Sequence, residues 1–389
     1  MNLPKNILSA MEILKTGEFE SYVVGGCVRD AMMGLEPHDY DLTTSATPLQ
    51  TLEIFKDYRI IETGLKHGTV TVVIDGENIE ITTFRIDGEY TDNRHPDSVE
   101  FTVNLAEDLS RRDFTVNAMA YNPDSGLVDL FSGMDDLKKG VIRCVGDADM
   151  RFNEDGLRIL RALRFSSQLG FKIDDETSES IFRNKELLEN ISRERIYSEF
   201  TKLLCGKNPA EVVNKYRDVI REFIYCPDEA EVLSVCRPDK FLRYACFLLG
   251  CDNPSEQLKS LRADNETIKT VLRLCECMKR RVDSVISVKY LMRDYGEEFC
   301  LLFSEFLSVC GGNGAFVKST AESLRGSCVS LKTLAVTGED LRKIGVEPGR
   351  RMGDILNMLL DAVIRDEIPN SKTEVLEFAK SVLDNSCCP

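Results

Sequence analysis

Strand-like sequence is confined to the first 150 residues of this chain, and the rest is patterned for helix. Residues 21–24, 40–44, 69–74 and 79–85 are short runs rich in Val, Ile, Thr and aromatic side chains, which favour a pleated surface. Asp75-Gly76, between the last two, is the dipeptide of a tight hairpin turn. Residues 8–14 have helical spacing. Beyond residue 150, helical spacing or capping marks 153–169, 175–190, 193–204, 239–249, 265–281 and 353–364. No fixed-period repeat or low-complexity tract interrupts them. The expected fold is α+β: an N-terminal head with a mixed sheet, then an all-helical neck, body and tail. Gly206-Lys207-Asn208-Pro209 and Gly311-Gly312-Asn313-Gly314 suggest breaks within the helical part, and the expected divisions are 1–140, 141–206, 207–312 and 313–389.

Charge follows the same partition. The chain carries 49 Lys+Arg against 65 Asp+Glu, a net of -16, but residues 1–150 hold 13 against 27 and the remainder 36 against 38. That excludes a generic polyanion binder with a basic tail and leaves local Lys/Arg clusters in the helical part free to meet nucleic acid. The 14 Cys fall well below the density of a disulfide scaffold, and only Cys275/Cys277 and Cys387/Cys388 are close couples. Reduced thiols, no apolar signal core in the first 15 residues and no run approaching the ~20 residues of a membrane span indicate a cytoplasmic protein without a membrane partner. The only His are His38, His67 and His95. A multi-His metal site or a Ser-His-Asp triad is therefore not expected. His38-Asp39 spells the dipeptide of the HD phosphohydrolases, but the other two His are poorly placed to complete that site.

The chemistry-bearing pattern is Val24-Gly25-Gly26-Cys27-Val28-Arg29-Asp30, then Pro37-His38-Asp39-Tyr40-Asp41-Leu42. Gly25-Gly26 after a strand lets backbone approach a phosphate, and the helix start behind it offers free N–H groups. Arg29 can add a phosphate or substrate contact. Asp39 and Asp41, one residue apart on an expected strand, would share a face. Two such charges are costly together unless cations lie between them. Two Mg²⁺ ions meet that need and suit in-line nucleotidyl transfer. Glu80, in Ile79-Glu80-Ile81, is the candidate third carboxylate, since an acidic residue is otherwise disfavoured in a β run. A turn with surface Asp residues, and a solvated strand face for Glu80, are the structural alternatives.

Together with three further stretches, these residues resemble the class II tRNA nucleotidyltransferase and bacterial poly(A) polymerase family of the polymerase-β-like superfamily. The two stretches holding Gly25-Gly26 and Asp39-Tyr40-Asp41 look like its catalytic motif. Arg111-Arg112-Asp113-Phe114-Thr115-Val116-Asn117-Ala118 looks like its ribose-recognising motif, and Glu154-Asp155-Gly156-Leu157-Arg158-Ile159-Leu160-Arg161-Ala162-Leu163-Arg164-Phe165 like its base-reading motif. Arg193-Glu194-Arg195-Ile196 and residues 199–204 are similar to the next. These motifs span residues 22–205 in the family's order. Val336-Thr337-Gly338-Glu339-Asp340-Leu341, Pro348-Gly349 and Gly353-Asp354-Ile355-Leu356 resemble the tail of the tRNA-repair members, departing at Arg350-Arg351.

The resemblance implies Mg²⁺ on Asp39 and Asp41, with Glu80 completing the catalytic set. It implies nucleotide contacts from Gly25, Gly26, Arg29, Arg112, Asp113 (ribose hydroxyls), Asn117, Glu154, Asp155, Arg158, Arg161 and Arg164. The residues agree with it. Residues 154–169 are apolar on almost every side, so Arg158, Arg161 and Arg164 need anionic partners, either a ligand or an internal salt-bridge network. Asp155 can accept from an exocyclic amine and Arg158 can donate to ring atoms. C and A share an amino group beside a ring-nitrogen acceptor, so one protein template could take both CTP and ATP.

Three sister activities share these motifs: CCA addition, partial C or A addition, and poly(A) synthesis. The lack of a long basic extension disfavours poly(A) synthesis, and residues 87–97 (DGEYTDNRHPD), read as a flexible loop, disfavour CC-only addition. The reading is template-independent CCA addition to the tRNA 3′ end, with A addition as the sister alternative and a non-catalytic RNA-binding homologue further off. tRNA backbone would be held by Arg280 and Arg281 with Arg273 and Lys279, and by Arg350 and Arg351 with Arg342 and Lys343, near helix starts. Solvated helix faces are the alternative reading of both clusters.

Overall fold

The computed structural model describes residues 1–62, 64–88 and 99–385. Helix α1 (Lys5–Thr16) buries Ile7, Ala10, Met11 and Leu14 at helical spacing. Strand β1 (Ser21–Val24) ends where Gly25 takes φ 77°, a conformation that favours glycine, and the chain turns into α2 (Gly26–Met32). Next come β2 (Asp41–Thr44), α3 (Pro48–Ile54) and β3 (Arg59–Ile61). The hairpin β4 (Thr69–Ile74) and β5 (Glu77–Thr83) closes on Asp75 and Gly76, both at positive φ, 53° and 84°. In β4, burial alternates along the strand, leaving Val70, Val72 and Ile74 in the core.

Strand β6 (Arg85–Asp87) pairs with β7 (Val99–Phe101) in a separate two-stranded sheet. Then come α4 (Leu105–Ser110), β8 (Met119–Asn122) and β9 (Gly126–Asp129). The main sheet has the order β3-β4-β5-β2-β1-β8-β9, mixed as expected, with β2–β5 its one parallel pairing. The strands missing from the sequence reading are short and carry weak patterns: β8 reads Met-Ala-Tyr-Asn, with no β-branched residue. The loop expected at 87–97 falls, beyond Gly88, outside the described residues.

Two expectations need correction. The strand expected at 40–44 begins at Asp41, so Asp39 lies in the preceding loop and shares no strand face with it. On one side the register gives the reason: Val24 is opposite Asp41, and at Gly25 the backbone turns away, so β1 offers Asp39 and Tyr40 no partner. The helix expected over 153–169 is two helices, α6 (Ala148–Glu154), which follows α5 (Gly133–Lys139), and α7 (Leu157–Leu169). At the break Asp155 is extended (φ -141°, ψ 104°), and its carboxylate accepts from the Leu157 N–H at 3.0 Å, opening the second helix. Two-residue strands β10 (Val141–Ile142) and β11 (Lys172–Ile173) pair in parallel. They precede α8 (Asp175–Arg183), a 3₁₀ turn over Lys185–Asn190, and α9 (Arg193–Leu204).

The described chain divides into two units, Met1–Arg243 with Gly250–Ile268, and Tyr244–Leu249 with Lys269–Pro389. The second is helical. Its helix Arg350–Ile364 starts three residues before the expected 353 and buries Ile355, Leu359 and Val363 with Leu341, Val375 and Ala379. Helices Glu297–Val309 and Gly314–Ser323 approach so closely that a side-chain carbon on Gly314 would lie 1.9 Å from the Ser304 carbonyl. No helix among the described residues is long and apolar enough to cross a membrane.

Candidate active site

Sheet register brings the first carboxylates together. Asp41 opens β2, pairs across to Val24 on one side and to Glu80 of β5 on the other. Asp39 and Glu80 line with it an acidic cleft of about 750 Å³, together with Glu36, His38 and Glu77. Although part of Asp41 remains open to solvent, its carboxyl pKa is raised. The causes are loss of hydration, then Glu80, with Arg112 opposing and Asp39 adding to the rise. Among the described residues, no group of three or more His, Cys, Asp or Glu could hold a metal ion by itself. Asp39, Asp41 and Glu80 therefore do not close into a three-ligand set.

Asp41 also lines a second cleft, of about 520 Å³, whose other walls come from four stretches of chain. Gly25, Gly26 and Arg29 supply one wall, Arg111, Arg112, Asp113 and Asn117 another, and Asp155, Leu157, Arg158, Arg161, Arg164 and Phe165 a third; Arg195 of α9 completes it. Of the nucleotide contacts expected from sequence, only Glu154 does not line it. Glu154 holds Arg158 from outside the lining, accepting from its Nη1 at 2.5 Å and from Arg151 Nη1 at 2.9 Å.

The buried guanidiniums are anchored internally, as the salt-bridge alternative required. Arg29 Nε and Nη2 donate to Asp30 at 2.9 and 2.7 Å, and its Nη1 donates to the Asn117 side-chain oxygen at 2.7 Å. Asn117 passes the chain on to Asp113 Oδ1 at 3.3 Å, and Arg161 donates to Asp113 Oδ2 at 2.8 and 2.5 Å. Burial pushes the Asp113 pKa up, but Arg161 and its hydrogen bonds outweigh it, so the carboxyl lies below its usual range. Arg164 Nε is 2.6 Å from Glu199 Oε2; burial nevertheless lowers the Arg164 pKa. Asp155 and Arg158, expected one turn apart on a single helix, flank the break between α6 and α7. Asp155 pairs with Arg195 at 2.8 Å, and Arg158 Nη2 donates to the Arg111 carbonyl at 3.0 Å.

Anchoring leaves donors unused. Arg112 Nε and Arg195 Nη1 are buried without a hydrogen-bond partner. Buried donors of that kind are rare in a finished structure and point to an anionic or acceptor-rich ligand. The Phe165 ring lies beneath three guanidiniums, 3.9 Å from Arg164, 5.2 Å from Arg29 and 5.5 Å from Arg161. Sequence reading assigned no site role to Phe165, Leu157, Arg111 or Arg195. Phe165 and Leu157 read as core; Arg111 and Arg195 stood inside recognised motifs, and only tertiary contact separates a wall residue from its neighbours there.

The basic clusters of the second unit are more heterogeneous than expected. Arg280 bonds Glu276 at 2.8 Å and lies 3.6 Å from Asp294, and Arg281 is 2.5 Å from Asp283. Both follow the end of helix Asn265–Met278. Arg342 and Lys343 occupy the last turn of helix Gly338–Lys343. Arg350 and Arg351 are exposed in the first turn of helix Arg350–Ile364, beside a cleft of about 510 Å³.

Comparison with known proteins places the chain in a family. The family model Poly A polymerase head domain matches residues 21–143, that of the RNA and SrmB-binding site of polymerase A matches 170–219, and that of tRNA nucleotidyltransferase domain 2 matches 242–379. The chain is 38% identical over 403 residues to the CCA-adding enzyme of Ligilactobacillus salivarius, covering 98% of each chain, and 35% identical to that of Streptococcus suis, covering 99% of each. Among solved structures it resembles the Bacillus stearothermophilus CCA-adding enzyme in complex with CTP, at 29% identity with a TM-score of 0.85 over 100% of both chains. A CCA-adding enzyme solved with ATP matches at 25% identity and TM-score 0.72, over 100% of this chain and 96% of the other. This chain belongs to the CCA-adding enzyme family of tRNA nucleotidyltransferases.

Proposed function

We propose that this chain rebuilds the CCA end of tRNA from CTP and ATP without a nucleic-acid template, and that the Arg-lined cleft ending at Asp41 is where it does so. The observation that carries the reading is the meeting of the Gly25 turn, Arg112, Asp155 and Arg158 around one cleft with unused guanidinium donors.

The carboxylates fit a divalent cation. Asp39 and Asp41 are hard oxygen donors, and the raised proton affinity of Asp41 reflects lost hydration first and then the negative charges of Glu80 and Asp39, which a cation would relieve. Two carboxylates, with substrate phosphate and water filling the other positions, are what Mg²⁺ commonly accepts. In this reading Asp39 and Asp41 hold Mg²⁺, and Glu80 strengthens the local negative field. The bound ion would neutralise triphosphate charge and acidify the attacking 3′-hydroxyl. The protein's own groups do the rest. The backbone at Gly25 and Gly26 admits the phosphates, and Arg112 neutralises them beside Asp41. Asp113 and Asn117 face the ribose, and Asp155 and Arg158 present one acceptor and fixed donors to the amino-bearing edges of C and A. Anchored side chains need little reorganisation when the hydroxyl attacks the α-phosphate and pyrophosphate leaves.

Residues 1–140 act as the catalytic head and 141–206 as the base-reading neck; 207–312 and 313–389 form the body and tail. Arg350 and Arg351, with Arg280 and Arg281 in support, bind tRNA backbone. The 12 free cysteines among the described residues support a reducing, cytoplasmic setting. The test is Mg²⁺-dependent incorporation of labelled CTP and ATP into tRNA lacking its last three nucleotides. No incorporation would overturn the reading, and A addition only to tRNA already ending in CC would mark the A-adding sister. Asp39→Ala and Asp41→Ala should each abolish incorporation while tRNA binding persists; activity in either variant refutes the cation assignment.

A further inference from the structure

A buried carboxylate that touches neither cleft has an unusual set of partners. Asp108, on α4, is 0% exposed. Its Oδ1 accepts from Arg111 Nε and Nη2 at 3.1 and 2.7 Å and from the Arg85 backbone N–H at 3.4 Å. Its Oδ2 accepts from Arg112 Nη2 at 3.1 Å and from the Thr43 hydroxyl at 3.3 Å. Thr43 lies two residues beyond Asp41 on β2.

Arg112 is the significant partner. It lies in the cleft with Asp41, and its Nη1 packs against the Gly25 turn, 3.4 Å from where a side-chain carbon on Gly25 would sit. Gly25 directly follows Val24, the cross-strand partner of Asp41. Arg112 is near enough for its charge to pull the Asp41 pKa down, yet among the described residues the two form no ion pair. A mobile guanidinium beside a carboxylate would ordinarily take both oxygens, and those are the oxygens a cation needs.

We propose that Asp108 is a positioning residue that retains Arg112, so that Arg112 serves the phosphate side of the cleft without closing onto Asp41. The proposal rests on the reading of Asp39 and Asp41 as the cation's ligands. Asp108 can win the competition because it has lost all contact with water. Its attraction for Arg112 is little screened, and releasing that partner would leave buried Oδ2 with the Thr43 hydroxyl alone, Arg111 being engaged at Oδ1. The Thr43 hydroxyl, shared between Asp108 and the Thr82 carbonyl at 3.1 Å, is its contact with the strand that carries Asp41.

The test is Mn²⁺ binding to the full chain without nucleotide, followed by the paramagnetic signal of the free ion, with circular-dichroism melting alongside. Asp108→Asn keeps shape and removes charge. It should weaken Mn²⁺ about 10- to 100-fold, the usual effect of losing an outer partner of a metal site, and Asp108→Asn combined with Arg112→Ala should regain wild-type affinity. Unchanged affinity in a folded Asp108→Asn chain overturns the proposal, as does failure of the double variant to recover. Should Asp108→Asn not fold, Arg112→Ala alone decides: binding at least as tight as wild type supports the proposal and weaker binding overturns it. Wild-type chain that binds Mn²⁺ but incorporates no nucleotide would overturn only the CCA-adding reading. Wild-type chain that binds no Mn²⁺ overturns the cation assignment and this proposal together.

Discussion

Arg161→Met tests whether the cleft is held open by its internal ion pairs. Arg161 places two hydrogen bonds on Asp113 Oδ2, and Asp113 is 8% exposed at its side chain. Removing one partner of a buried pair costs about 3–5 kcal/mol. The Arg161 side chain is 34% exposed, so water recovers part of the lost solvation and about 2–3 kcal/mol is the better figure. For a unit of this size that lowers Tm by roughly 5–10 °C. The penalty must also depend on pH. In the wild type Asp113 titrates below its unfolded value, so its contribution is complete above about pH 4 and lost as pH falls through the folded pKa. Without Arg161 the largest influence opposing burial is gone, so the folded pKa rises, with Arg158 and the Asn117 hydrogen bond still holding it down in part. The variant's penalty is then greatest at pH 7.5 and shrinks as pH falls and Asp113 protonates. The chain has no Trp, so melting is followed by far-ultraviolet circular dichroism at pH 7.5 and 5.0. Adding Asp113→Asn to Arg161→Met should restore part of the stability. A deficit equal at both pH values, or a double variant less stable than Arg161→Met, would refute the account.

Packing and charge give two further outcomes. A side-chain carbon on Gly206 would lie 2.2 Å from Ser167 Oγ and 2.7 Å from the Ser167 backbone carbon, between α7 and α9. Gly206→Ala should therefore cost about 1–3 kcal/mol, read as a lower denaturation midpoint, and an unchanged midpoint would contradict the close approach. In the second unit, Lys372 lies 2.6 Å from Asp340, whose pKa is lowered to about 2 by that contact and by Thr337. The resulting stability is complete above about pH 4 and lost as pH falls towards 2. Lys372→Met should move the onset of acid melting to higher pH, with superimposable acid profiles counting against the assignment.

The sequence by itself determined the division into an α+β head and a helical remainder, because side-chain periodicity is a local property and survives without tertiary context. Through motifs that resemble those of a known family it also marked most of the residues that line the Arg-rich cleft. Tertiary structure decided what each side chain touches. Local pattern extended a helix through Asp155, yet that carboxylate accepts from the first N–H of the next helix and pairs with Arg195, 40 positions away. Spacing put Asp39 and Asp41 on one strand, yet pairing stops where Gly25 turns its neighbour aside. No sequence pattern singles out Asp108, and its meaning came from partners at 43, 85, 111 and 112. Periodicity states which face a residue occupies, but a buried charge takes its role from whichever opposite charge folding carries to it, and that distance is set by the sheet register and the helix packing together.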